Sequence, residues 1–174
     1  MTLSKGTDAI LSQLAEGTGG PALDVFGPII EFVTSEDNEQ ICVMRGVIPP
    51  GVTVPLHTHD DFEDFFILVG GHQVLVEGEG GLVWRDAHAG DYICMPGGVP
   101  HAHRNISGES SVDLIITTPL MGRFFREVGR PVGFPPPTAQ EVARFAEIAS
   151  SYGYRLATPE ENAAVGITLP TFTQ

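Results

Sequence analysis

Basic residues are scarce in this chain. Nine Lys and Arg stand against 22 Asp and Glu, giving a formal net charge of −13. Nucleic-acid binding rests on cations that neutralise phosphates, so that class of partner is not expected. The excess acid favours solubility and says little about substrate. Long hydrophobic runs are also missing. None approaches the roughly 18 residues that a membrane span needs. The polar, mixed stretch 1–20 lacks the basic-then-apolar order of a secretory signal. A cytoplasmic protein without a membrane partner is the expectation. Cysteine is nearly absent. Cys42 and Cys94 make no pattern, sit in apolar strand-like runs, and read as buried free thiols.

Turn formers, by contrast, are plentiful. With 21 Gly, 14 Pro and 42% hydrophobic residues in 174, the chain reads as one turn-rich β domain over 1–174, large enough to bury a core. Strand-like runs cover Val25–Val33, Ile41–Ile48, Thr53–His59, Glu63–Val69, Gln73–Glu77, Leu82–Arg85, Tyr92–Met95, His101–Asn105 and Val112–Thr117. Many short strands separated by glycine turns predict a sandwich or barrel, here over about residues 22–120. A short amphipathic segment, Asp8–Leu14, predicts an N-terminal helix. From residue 121 the pattern becomes helical. Met121, Phe124, Phe125 and Val128 recur at helical spacing. Thr138-x-x-Glu141 is a capping box ahead of Val142, Phe145, Ile148, Ala149 and Tyr152, with Gly153 as the stop. Thr158-Pro159-Glu160-Glu161 starts a last short helix ending near Gly166.

Chemistry concentrates in two glycine-bracketed blocks. The first runs from Gly51 through His57, His59 and Glu63 to Gly70. The second holds Gly90, Pro96, Gly98, His101, His103 and Asn105. On a strand, residues i and i+2 share a face, so His57 and His59 can enter one cavity. Glu63 can return on the next strand toward the same point. His101 arrives from elsewhere, its strand start fixed by the turn at Pro96-x-Gly98. Three imidazoles and a carboxylate suit one divalent transition metal ion, Fe, Mn, Ni, Co, Cu or Zn, and disfavour Ca and Mg.

The blocks resemble the two motifs of the cupin superfamily, G-x5-H-x-H-x3-E-x6-G and G-x5-P-x-G-x2-H-x3-N, at every position. The resemblance implies an all-β, double-stranded β-helix (jelly-roll) barrel flanked by short N- and C-terminal helices. It implies His57, His59, Glu63 and His101 as metal ligands, and a homodimer. The chain is similar to small single-domain cupins related to quercetin 2,3-dioxygenase. That implies a metal-dependent dioxygenase in which O2 attacks an enolic or phenolic substrate. A non-redox cyclase, isomerase or lyase has the same sequence support, and a small-ligand-binding module is the third reading. Four protein ligands saturate a tetrahedral Zn, whereas a larger coordination number leaves room for substrate.

Strand parity extends the site beyond the ligands. His103 lies two residues past His101 and is expected on the same face, as general base, proton donor or substrate anchor, or hydrogen-bonded to a carboxylate inside the fold. Glu63 is the second candidate catalytic group. Phe65 and Ile67 are expected inward, with Phe66 and Leu68 outward. Tyr92 and Met95 are further pocket candidates. An apolar wall of this kind suits an aromatic or otherwise apolar small molecule. His72 and His88, near turns, read as solvated, and Arg45 as an outward residue paired with surface acid.

Overall fold

The computed structural model describes residues 20–170. The helix expected over Asp8–Leu14 lies outside them. In chain order the strands are β1 (Leu23–Asp24), β2 (Ile29–Phe32), β3 (Cys42–Ile48), β4 (Thr53–Thr58), β5 (Glu63–Val69), β6 (Gly71–Gly78), β7 (Gly81–His88), β8 (Tyr92–Ile93), β9 (His101–Arg104) and β10 (Ser111–Thr117). Then follow α1 (Pro119–Val128), β11 (Arg130–Pro131), α2 (Ala139–Ser151), β12 (Arg155–Leu156) and α3 (Pro159–Ala164). Pairing is antiparallel throughout. One sheet has the order β11-β1-β2-β3-β10-β5-β8 and the other β12-β4-β9-β6-β7. The two face each other as a jelly roll and do not close into a continuous barrel.

The expected strand over Val25–Val33 is broken. Phe26 and Gly27 take φ of 56° and 130°, and the Asp24 side chain accepts the Gly27 N–H, so the chain turns between β1 and β2. Gly70 meets two demands at the β5–β6 turn. Its φ is 69°, and a Cβ there would lie 2.7 Å from the Ser110 carbonyl oxygen.

Alternation decides what each sheet buries. Ile30, Met44, Phe65, Val74 and Ile115 meet between the sheets. On the back of the smaller sheet Leu56, Leu75 and Ala102 are covered by Ile167 and by the partly buried Trp84, Val165 and Leu169. Asn162 of α3 ties that cover down. Its side chain accepts the Leu56 N–H and donates to the Ala157 and Thr158 carbonyls. Leu56 and His57, neighbours on β4, are thus both buried.

Both expected capping boxes form, at Thr138/Glu141 and Thr158/Glu161. The helix expected from Met121 begins earlier, at Pro119, because Thr118 caps it and proline is tolerated in the first turn. Phe124, Val128 and Ala149 form a third cluster with Phe125, Phe145, Ile148, Tyr152 and Tyr154, so α1 and α2 pack together against the end of the sandwich. Phe134 stays exposed in the proline-rich connection between β11 and α2. Cys42 is buried and free. Cys94, expected to be buried, is exposed, since it follows the two-residue edge strand β8.

Candidate metal centre

Three elements converge on one point. β4 supplies His57, the loop after it His59, β5 begins with Glu63, and β9 begins with His101. One β-bulge aims them. On β9, His101 and His103 are two apart and share a face. On β4 their partners are His57 and Val54, three apart, so β4 carries one extra residue at Pro55-Leu56. Pro55 suits that place, because it has no ladder N–H to give. The bulge allows Val54 and His57 to face inward together.

Each ligand imidazole is oriented by its own backbone. His57 Nδ1 donates to the Pro55 carbonyl at 2.7 Å, His59 Nδ1 to the Asp61 carbonyl at 2.7 Å, and His101 Nδ1 to the Val99 carbonyl at 2.9 Å. A carbonyl only accepts, so every Nδ1 carries the hydrogen and every Nε2 is left with a bare lone pair. These Nε2 atoms face one another and Glu63. His59 Nε2 stands 3.2 Å from His101 Nε2 and 3.3 Å from Glu63 Oε2, and His101 Nε2 stands 3.8 Å from the same oxygen. One ligand atom from each of the four residues lies within 4.8 Å of all the others. Two ligands about 2.1 Å from a shared ion and roughly 90–110° apart sit about 3.0–3.4 Å from each other. Four buried acceptors at this spacing repel one another unless a cation lies between them. The residues therefore fit a transition metal ion.

Electrostatics agree with that reading. Burial, together with the neighbouring His101, lowers the His57 pKa to about 3, so its imidazole stays neutral, as a ligand must. Burial also works against charge on Glu63, but the His101 and His59 imidazoles that face it outweigh burial and hold the carboxyl well below its usual range. For His59 the balance against burial falls the other way, and contact with Glu63 raises its pKa.

The turn after β8 locks the ligand loop. Gly98 donates its N–H to the His59 carbonyl at 2.7 Å and takes φ of 82°. A Cβ on Gly97 would fall 1.9 Å from the Asp60 backbone oxygen. Asn105 secures the far end. Its amide donates to the Ile48 and Glu109 carbonyls at 2.8 and 2.7 Å, while its oxygen accepts from the Ser107 N–H and hydroxyl.

His57 and Glu63 open onto a cavity of about 340 Å³. Its wall is mostly apolar, with Phe65, Ile115, Phe124 and Tyr154 prominent, while His57, Glu63, His103 and Asp113 supply polar groups. Phe124 and Phe145 bring α1 and α2 to its rim. Phe65 is among its wall residues. Ile67 is inward but lies beyond the lining, buried completely. Met95 is buried in the inter-sheet core rather than along the cavity. Tyr92 is 57% exposed, and its hydroxyl donates to Asp64 at 2.6 Å. It pairs with Phe66 across β5 and β8 and so shares that residue's outward face. Sequence reasoning missed Tyr154. Its ring lies 4.9 Å from that of His59 and 4.2 Å from that of Phe124, centroid to centroid. Only the pairing of β12 with β4 brings it there.

His103 faces the cavity at the inner end of a buried polar chain. His103 Nδ1 lies 3.0 Å from His72 Nε2, and His72 Nδ1 lies 3.0 Å from Ser111 Oγ. Ser111 Oγ lies 3.1 Å from Asp113 Oδ1. The other ring nitrogen of His103, Nε2, is buried without a partner. His72, expected in solvent beside its glycines, is instead buried, because β6 begins at Gly71 and turns it inward. His88 is exposed and Arg45 pairs with Glu31 outside, both as expected.

Fold and site together have the form of a cupin domain. Residues 44–117 match the family model described as the cupin domain, and this stretch is a cupin domain. No curated protein matches the chain. Among solved structures it is similar to the DMSP lyase DddQ from Ruegeria pomeroyi DSS-3, at 28% identity over 47% of this chain and 39% of that one, with a TM-score of 0.41. The polyketide cyclase RemF from Streptomyces resistomycificus is 17% identical over 68% of this chain and 79% of its own, with a TM-score of 0.48. The cupin domain of Schizosaccharomyces pombe Cnp3 is 15% identical over 60% and 68%, with a TM-score of 0.50. No helix among the described residues is long and apolar enough to cross a membrane.

Proposed function

We propose that this cupin is a metal-dependent enzyme for a small, largely apolar molecule bearing an enolic, phenolic or carbonyl oxygen, and that its reaction begins with proton removal by His103. The observation that carries this is the buried His103, whose Nε2 has no partner and whose side chain lines the same cavity as His57 and Glu63. His57, His59, Glu63 and His101 would hold the ion. When bound, it supplies Lewis acidity that stabilises charge developing on a substrate oxygen.

The other steps belong to the protein. Phe65, Ile115, Phe124 and Tyr154 hold an apolar substrate and keep water from it. Glu63 faces the Nε2 atoms of His59 and His101, and its lowered pKa makes it a poor base, so its role is that of ligand. His103 is free to take the proton. A dioxygenase and a non-redox cyclase, isomerase or lyase share this opening and diverge in what the deprotonated substrate meets next.

Metal-loaded protein incubated with flavonols and 1,3-diketones in D2O, with and without O2, separates them. Turnover that requires O2 identifies the dioxygenase. Net turnover without O2 identifies the non-redox enzyme, while deuterium exchange without O2 reports the proton removal that both share. In either case His103→Ala retains the metal and loses about 10²-fold or more in kcat. A full metal site with neither turnover nor exchange leaves a ligand-binding module and removes the proposal.

A further inference from the structure

His103 has a base's position but a poor base's surroundings. It is buried, 3% exposed, where an imidazolium would lose its hydration. Burial lowers the pKa of His72 behind it to about 4. An imidazolium at either place would be a buried, unpaired charge. The hydrogen-bond chain removes that difficulty. With Asp113 ionised, the order of donors is set from the carboxylate inward. Ser111 Oγ–H donates to Asp113 Oδ1, and His72 Nδ1–H donates to Ser111 Oγ. His72 Nε2 is then bare and accepts from His103 Nδ1–H, which leaves His103 Nε2 bare toward the cavity. Every group in the chain is satisfied except the one atom that faces substrate.

We propose that His72, Ser111 and Asp113 form a proton wire behind His103, with Asp113 as the final acceptor. This rests on the reading of His103 as the base. A proton leaving the substrate bonds to His103 Nε2 as His103 Nδ1 passes its own to His72 Nε2. His72 Nδ1 passes its proton to Ser111 Oγ, and Ser111 passes its proton to Asp113 Oδ1. The substrate loses one proton and Asp113 gains one. Both imidazoles and the hydroxyl end neutral, the imidazoles in their other tautomers. The negative charge moves from Asp113 to the substrate oxygen beside the ligand cluster. No imidazolium forms at any stage.

Asp113 is suited to the end of the wire. It is 1% exposed, and burial raises its pKa to about 7, where it can exchange a proton near neutral pH. The groups facing it are Ser111 on its own strand and His72 on β6. Its cross-strand neighbours on β3 and β5, Gly46 and Ile67, carry no charge. His57 and Glu63 line the same cavity from β4 and β5.

Two readouts test the wire, using protein loaded with diamagnetic Zn and labelled with ¹⁵N at histidine. NMR distinguishes protonated from bare ring nitrogens. Between pH 9 and pH 5.5, His72 and His103 should exchange tautomers together while both stay neutral, and Asp113→Asn should abolish the exchange. In steady-state assays Asp113→Asn and His72→Gln should each lower kcat at least tenfold with metal content and KM unchanged. A single fixed His103 tautomer across that range, or wild-type kcat in both variants while His103→Ala is impaired, overturns the wire. A joint tautomer exchange in an enzyme whose His103→Ala variant keeps full turnover supports the wire and removes the base role on which its catalytic use rests.

Discussion

Replacing Asp113 by Asn should change how stability depends on pH. An aspartate in an unfolded chain titrates at about 3.9, whereas burial brings Asp113 to about 7 in the native state. Between those values the native protein holds a proton that the unfolded chain has released. Stability contributed by the protonated form is therefore fully present below the unfolded value and is lost as pH rises through about 7. Each tenfold difference in proton affinity between the two states is worth about 1.4 kcal/mol. From pH 5 to pH 8 the loss comes to roughly 2.7 kcal/mol. Asn keeps the shape, can accept from Ser111 Oγ, and does not titrate, so the variant lacks this slope. Urea denaturation of both proteins from pH 5 to pH 8 measures it. The ligand cluster titrates alike in both and cancels in the difference. For a chain of this size the gap corresponds to about 5–11 °C in Tm. Parallel stability curves would show that Asp113 is ionised throughout and would refute the reasoning.

Two further variants probe the frame of the site. Gly97→Ala places a methyl against the Asp60 backbone, 1.9 Å from its oxygen, and must push the His59–Glu63 loop aside. Metal titration should show affinity reduced by about tenfold or more, in the range found when groups that orient ligands are lost; unchanged affinity would mean that the loop has slack. Asn105→Ala strips partners from two carbonyls and from Ser107. It should cost about 2–4 kcal/mol and roughly 5–15 °C of Tm by calorimetry, with the metal still bound. A Tm within a degree of wild type would contradict the clamp.

The clustering of His57, His59 and Glu63 was legible because their spacing is short-range. They lie at the end of β4, in the loop after it and at the start of β5, and glycines marked where those elements end. Both capping boxes were legible for the same reason. What stayed hidden depends on pairing between distant strands. Tyr92 reads like Phe65 along the chain, but the register of β8 on β5 points it outward. Tyr154 reaches His57 and His59 only because β12 pairs with β4. His72 looked like a turn residue, and nothing local says that β6 starts at Gly71 and turns it toward His103. The bulge at Pro55 is a further case. Proline hinted at an irregular strand, but only the register against β9 shows which residues it re-aims.

The central claim is a metal bound by His57, His59, Glu63 and His101. Elemental analysis of protein purified without added metal tests it most directly. The account predicts about one equivalent of a divalent transition metal per chain, nearly all of it lost in folded His101→Ala and retained in His103→Ala. Full retention in His101→Ala, or a wild-type protein that stays empty when divalent transition metals are supplied, would contradict it.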